Sequence, residues 1–165
     1  MLQNLVYKLQ TSLKTYSVGL SKQRYLIEKP WTIVDGNLNV HRLVFKKKGV
    51  LRAFRNGNME DNCSWDYEQS LNSLVIKIGN EEGVLLNEVF LDGKVLILKK
   101  DNTNEFWIFI NSDLLEGHQL EEYLKGINSG KPVNQEPDND NDLWLVLGVI
   151  VAVFFFILLL AGALD

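Results

Sequence analysis

The side chains best suited to chemistry in this chain are two histidines, His41 and His118, and one cysteine, Cys63. A zinc site of the Cys/His type needs about four such ligands, so a metal site of that kind has too few. A nucleophilic pair would have to join Cys63 to one of the histidines. Because Cys63 directly precedes a predicted strand that begins at Ser64, we interpret its thiol as a small buried group. We therefore expect no catalytic residue, no metal site and no cofactor, and a protein that is not an enzyme.

A second pattern with the spacing of a ligand set is the alternating series Asp138, Asp140 and Asp142. These residues match the first three ligand positions of an EF-hand loop. The same loop needs glycine at its sixth position and glutamate at its twelfth, and this chain has Leu143 and Val149 there. The series therefore fails as a calcium loop and indicates a solvated, charge-extended linker.

The segment after this series has 22 residues, Leu143 to Leu164, without a charged side chain. A helix of about 20 residues rising about 1.5 Å each spans a hydrocarbon core of roughly 30 Å. Trp144 stands at the start of the segment, where its amphipathic ring suits the headgroup layer of a membrane. The sequence predicts an acidic linker over residues 129–142, a transmembrane helix over residues 143–164, and Trp144 as the residue at the membrane interface.

Orientation in the membrane is predicted from the first residues of the chain. They lack both the basic region and the long apolar region of a secretory signal peptide. Flanking charge adds little, because the linker is acidic and Asp165 follows the apolar segment. We therefore expect a tail-anchored, single-pass membrane protein with residues 1–142 in the cytoplasm.

Charge is distributed unevenly along the rest of the chain. Residues 1–58 contain 11 Lys and Arg against 2 Asp and Glu, whereas residues 59–135 contain 6 against 14. Pairing of the two halves inside one domain would explain this difference. A second explanation is a basic face on a single hairpin, which would be formed by Arg42, Lys46, Lys47, Lys48, Arg52 and Arg55.

A basic face of this kind limits the choice of partner. Anionic lipid attracts each nearby basic side chain by about 1 kcal/mol, so six could orient a tethered domain on its own membrane. Nucleic acid would require such charges on a helix for the major groove or beside a matched stacking surface, and these six charges have neither. We interpret the six residues as a candidate patch for anionic lipid or an acidic protein partner. Lysines at a hairpin turn also serve simply as a solvated loop that discourages aggregation.

Hydrophobic periodicity predicts the elements that would carry this patch. Apolar residues at helical spacing predict amphipathic helices over residues 1–20 and 112–127. Between them, about six to eight short strands alternate with turns, of which Lys48–Gly49 and Asp92–Gly93 are the clearest. The strand "EFWIFIN" is apolar on both faces, which indicates a central or covered strand. We predict a mainly β domain over residues 21–128, an antiparallel meander forming a small barrel or strongly twisted sheet.

The series Trp31, "LVFKKKGVL", "RNGN" and "SWDYEQSLNSLVI" resembles the small lipocalin-like β domains of bacteria over residues 26–111, fused here to a C-terminal membrane anchor. This resemblance implies a barrel with an enclosed ligand cavity. The segment "DLLEGHQLEEYLKGI" is similar in position to the closing helix of the pleckstrin-homology fold, a barrel of seven strands.

Two functions follow as expectations. The first is a membrane-anchored β-rich interaction module, an accessory or small subunit of a membrane protein complex. The second is a membrane-tethered, lipocalin-like protein that binds a small ligand or lipid. A carrier should have an internal apolar cavity, whereas an interaction module should have a filled core and an outer apolar or charged patch.

Overall fold

The computed structural model describes residues 1–36 and 40–129 of the chain. The predicted acidic linker from residue 130 onward, the predicted transmembrane helix and Trp144 lie outside the described residues. Among the helices within residues 1–36 and 40–129, none is long and apolar enough to cross a membrane.

The described part of the chain is mainly β, as predicted, with one α-helix at each end. The helices are α1 (Leu2–Tyr16) and α2 (Leu120–Asn128), with short 3-10 turns at Gln23–Tyr25, Lys47–Gly49 and Gly117–Gln119. The strands are β1 (Trp31–Asp35), β2 (Arg42–Phe45), β3 (Leu51–Arg55), β4 (Asn58–Glu60), β5 (Ser64–Glu68), β6 (Ser73–Lys77), β7 (Val84–Leu91), β8 (Val95–Lys100) and β9 (Phe106–Asn111).

The nine strands form one antiparallel sheet in the order β4-β3-β2-β1-β9-β8-β7-β6-β5. Except for β4 and β5, strands that follow one another in the chain are neighbours in the sheet, and β1 pairs with β9. The two edge strands, β4 and β5, are themselves consecutive in the chain, so the sheet is an up-and-down meander opened between them. An isolated bridge between Val50, just before β3, and Ser64, at the start of β5, joins the two halves of the sheet across this opening. The predicted meander is therefore confirmed as a curled half-barrel.

The sheet has nine strands where about six to eight were expected, and the strand with the weakest signal in the sequence is β4. It contains only Asn58, Met59 and Glu60, which include no β-branched or aromatic side chain. It forms because Asn56 and Gly57 both adopt positive φ and turn the chain back onto β3. Local propensity is therefore weak here, and pairing with β3 determines the strand.

The concave side of the sheet is filled by a cluster of 19 buried residues. On β9, Trp107 and Phe109 belong to this cluster, whereas Phe106 and Ile108 are buried on the opposite face. The helix α1 packs on β7 and on α2. This packing covers the opposite face of the sheet. The predicted central, doubly apolar strand is thus confirmed at β9, the middle strand of the sheet.

The segment between α1 and β1 closes one end of the half-barrel. Its residues Leu20, Tyr25 and Leu26 belong to the concave cluster. Trp31 Nε1 donates to the carbonyl of Leu26 at 2.9 Å. The buried carboxylate of Glu88 on β7 accepts a hydrogen bond from the backbone N–H of Leu20 at 2.8 Å. Buried hydrogen bonds of this kind hold an otherwise irregular segment in place.

The C-terminal helix begins later than the sequence suggested. After β9, the N–H groups of Leu114 and Leu115 both bond to the carbonyl of Asn111, which makes a turn rather than a first helical turn. Glu116 and Gln119 form a capping box around the next 3-10 turn. This capping box satisfies backbone N–H groups at the start of the 3-10 turn, and α2 begins directly after the turn, at Leu120.

Candidate interaction surface

The β2–β3 hairpin carries the six basic residues singled out in the sequence, and its turn has a specific geometry. Lys48 and Gly49 have φ values of 60° and 74°, so the predicted turn at these two residues is confirmed. A Cβ on Gly49 would lie 2.9 Å from the carbonyl oxygen of Trp65 on β5. This distance is too short for any residue except glycine. The turn is therefore seated directly against the edge strand β5.

In the structure, the six basic residues fall into three groups: two on the outer face of the hairpin, two in its turn and two in ion pairs. Arg42 lies opposite Phe54 and Arg52 lies opposite Val44, which puts these four side chains on the outer face of the hairpin. Both arginines are exposed, and so are Lys47 and Lys48 in the turn. The outer-face arginines and the turn lysines thus form two distinct cationic groups.

The remaining two basic residues are held in ion pairs. Lys46 pairs with Glu28 in the segment that precedes β1. Arg55 points to the other face of β3, and its Nε lies 3.0 Å from Glu60 Oε1 on β4. These pairs fix the two ends of the hairpin to neighbouring segments, and they reduce the free positive charge of the predicted patch.

The outer face of β2–β4 mixes these arginines with apolar side chains. Val44 and Phe54 are half-buried, and Met59 on β4, opposite Phe54, is 59% exposed. We name the set Arg42, Val44, Arg52, Phe54 and Met59 the basic outer face. The corresponding face of β9 is buried, whereas the basic outer face stays open to solvent.

A groove lies where the turn approaches β5. It has a volume of about 620 Å³, and we name it the seam groove; residues along it include Ile27, Lys47, Lys48, Trp65, Asp66 and Tyr67. Trp65 Nε1 donates to the carbonyl of Lys46 at 2.8 Å, and the Trp65 ring meets the Phe45 ring edge-on at 5.5 Å. These contacts hold one wall of the groove rigidly against the hairpin.

The sequence singled out neither Trp65 nor Tyr67 as a site residue. Trp65 belongs to the core and is 6% exposed, and Tyr67 packs partly against the same cluster. Period-two alternation in "SWDYE" places these two rings on one face of β5. That alternation was the available signal, but the proximity of the β2–β3 turn was not visible in it.

The histidines and the cysteine have local partners in the structure. His41 Nε2 lies 3.1 Å from Asn56 Oδ1, and His118 Nδ1 lies 3.2 Å from Glu116 Oε2. The partly buried Cys63 packs against the core, and its Sγ lies 3.4 Å from the carbonyl oxygen of Asp61. His118 and Cys63 thus have contacts within their own turns, whereas His41 contacts the turn between β3 and β4.

A buried acid outside the hairpin ties α2 to the sheet. Asp92 Oδ1 accepts the backbone N–H groups of Lys94 and Val95, and Tyr123 donates its hydroxyl to Asp92 Oδ2 at 2.5 Å. Burial raises the pKa of Asp92 above its ordinary value, although these hydrogen bonds oppose the shift. Burial and the neighbouring Asp92 also raise the pKa of Tyr123. The hydrogen bond between Asp92 and Tyr123 therefore attaches α2 to the β7–β8 turn.

Comparison of the chain with models of protein families, with curated proteins and with solved structures finds no match. Within the two described stretches of the chain, no group of three or more His, Cys, Asp or Glu side chains is placed to hold a metal ion. Function is therefore argued from the basic outer face and the seam groove themselves.

Proposed function

We propose that this chain is a tail-anchored, single-pass membrane protein whose cytoplasmic β-rich domain is an interaction module, acting as an accessory or small subunit of a membrane protein complex. The uncharged segment over residues 143–164 supports the anchor. The interaction module is supported by the surface of the β domain, and the basic outer face is the observation on which this proposal chiefly depends.

The basic outer face has the composition of a contact surface for a protein with acidic side chains. Arginine, methionine and aromatic residues are enriched where proteins bind one another, and here Arg42, Arg52, Phe54 and Met59 lie on adjacent strands. The apolar groups would bury area on binding, while the two guanidinium groups would pair with carboxylates. A partner presenting both apolar and acidic side chains fits this surface.

The concave side of the sheet favours this function over that of a carrier with an enclosed cavity. Large side chains such as Trp31, Phe45 and Phe109 are fully buried there. A carrier would need that volume for its ligand. The buried side chains of the concave side and the open outer face are the two observations that support an interaction module over a carrier.

The test is affinity purification of the full chain from detergent-solubilised membranes. Reversing the charge of both outer-face arginines, with Arg42→Glu and Arg52→Glu, should abolish recovery of the partner, because like charges would then face each other. The matched control is Lys8→Glu with Lys77→Glu, which makes the same change in net charge at two exposed lysines on α1 and β6.

We expect the control variant to recover the partner as well as the unmodified chain does. A chain lacking residues 143–165 should recover less of a partner that resides in the membrane. Failure of the full chain to recover any stable partner would overturn the accessory-subunit proposal. Equal recovery by both charge-reversed variants would remove the basic outer face from it.

A further inference from the structure

The seam groove combines apolar and cationic surface in one concave site. Its walls include the apolar side chain of Ile27 and the aromatic rings of Trp65 and Tyr67. Ile27 and Tyr67 are half-buried, so each offers apolar area that remains accessible to a ligand. The exposed cations Lys47 and Lys48 stand at the turn beside these groups. A ligand that fits must therefore be apolar at one end and anionic at the other.

The cations are held in position by the geometry of the turn. Lys48 adopts a left-handed conformation, and Gly49 lies against the carbonyl of Trp65. Lys46 is engaged with Glu28, which leaves Lys47 and Lys48 as the cations of the turn that line the groove. Asp66 also lines the groove, on the β5 side. An anionic group would therefore bind at the turn, away from the carboxylate of Asp66.

The hydrogen bonding of β5 argues against an extended peptide as the ligand. A peptide that adds to a sheet edge must bond to the free N–H groups of that edge strand. The backbone N–H of Tyr67 already donates to Asp66 Oδ1 at 2.9 Å. This bond blocks part of the edge, which is a common means of protecting an edge strand.

We propose that the seam groove binds one anionic phospholipid, with its phosphate on Lys47 and Lys48 and the first part of an acyl chain on Ile27, Trp65 and Tyr67. A free phosphate would leave the apolar walls uncovered, so the lipid is the better match of the two. This proposal deepens the membrane tethering proposed above, because an anchored domain is held beside such lipids. Its residues are separate from the basic outer face.

The test is a titration of the full chain, in micelles of an uncharged detergent, with dihexanoyl phosphatidylglycerol. The matched probes are dihexanoyl phosphatidylcholine, glycerol phosphate and a glutamate-rich peptide. Hydrogen exchange of the backbone at residues 46–50 and 64–68 reports binding at the groove, and exchange in β7 and β8 reports that the fold is intact. We expect slower exchange at the groove with phosphatidylglycerol and no change with the other three probes.

The variant pair separates the groove from general charge. Lys47→Gln with Lys48→Gln should weaken phosphatidylglycerol binding by about tenfold or more, since each lysine contributes to attraction of an anionic headgroup. Arg42→Gln with Arg52→Gln removes the same charge from the other site on the same hairpin and should leave the Kd unchanged.

Four results would overturn the proposal. They are equal binding of phosphatidylcholine, equal protection by glycerol phosphate, preferential binding of the acidic peptide, and equal weakening by the two double variants. Because these experiments measure lipid rather than partner recovery, their failure would leave the interaction-module proposal standing. Loss of the partner in the purification experiment would likewise leave the lipid site standing.

Discussion

At the level of single residues, Gly49 illustrates how one small side chain positions two parts of the molecule. Its φ of 74° is a conformation that other residues adopt only with strain. Its lack of a Cβ also lets the hairpin turn approach the carbonyl oxygen of Trp65. Gly57, in the next turn, has a similar φ of 83° but has nothing within 4 Å of the position of a Cβ. The two glycines therefore differ in contact but not in backbone strain.

We predict that Gly49→Ala destabilises the domain more than Gly57→Ala does. Strain at a positive φ costs about 1 kcal/mol or more, and both variants should lose this amount. Gly49→Ala should lose roughly 1–2 kcal/mol beyond it, because the turn must also move away from β5. Denaturant unfolding, followed by tryptophan fluorescence, measures the difference. Equal loss in the two variants would show that the approach to Trp65 contributes nothing to stability.

At the level of elements, α2 is attached to the β7–β8 turn by the buried pair of Asp92 and Tyr123. The turn itself is the Asp92–Gly93 turn that the sequence predicted, and Gly93 has a φ of 87°. The contact to α2 was not predicted, because Tyr123 follows Asp92 by 31 residues. A side chain suited to its own turn thus also holds a distant helix.

This pair should make stability depend on pH. In the unfolded chain Asp92 has its ordinary pKa of 3.8, and burial raises the pKa in the folded state. The folded state then binds the proton more tightly, so the contribution is fully present below pH 3.8 and is lost as pH rises through the folded pKa. The same sign applies to Tyr123, whose contribution is lost as pH rises above its ordinary value of 10.0.

We expect Asp92→Asn to remove the acidic part of this dependence. The asparagine keeps an oxygen for the N–H groups of Lys94 and Val95, so the turn should survive. The measurement is the free energy of unfolding against pH for the unmodified chain and the variant, and the difference between the two curves isolates Asp92. Parallel curves between pH 3.8 and neutrality would contradict the raised pKa.

At the level of the whole molecule, the two sides of the described domain differ in how much of their surface is exposed. One part of the outer face of the sheet is buried together with the helices, and the other part carries the basic outer face. The concave side carries the cluster of buried core residues, which contributes to stability. Contact with partners is proposed for the hairpin and its seam groove, and attachment to the membrane is proposed for residues 143–164.

The proposed topology makes a prediction of its own. In sealed vesicles whose cytoplasmic face is outward, added protease should digest the β domain, because residues 1–142 are expected on that face. Vesicles opened by detergent are the control, since the domain is accessible there in either orientation. A β domain protected in the sealed vesicles and digested in the opened ones would contradict the topology.

The amino-acid sequence by itself determined the features that depend on neighbouring residues. Period-two alternation predicted the mainly β domain and the two apolar faces of β9, and glycine placement predicted the turns at Lys48–Gly49 and Asp92–Gly93. These features follow from local steric limits and from the alternation of side chains along a strand. The later start of α2 was missed because hydrophobic periodicity does not show the capping box at Glu116, after which the helix begins.

Only the tertiary structure decided which strands stand at the edges and which cations act together. The pairing of β1 with β9 leaves β4 and β5 as edges, and curling of the sheet then brings the β2–β3 turn against Trp65. The six basic residues of the β2–β3 hairpin are thereby divided into two outer-face arginines, two turn lysines and two ion-paired residues. The physical reason is that strand pairing and curling join residues far apart in the chain, and no local pattern specifies those contacts.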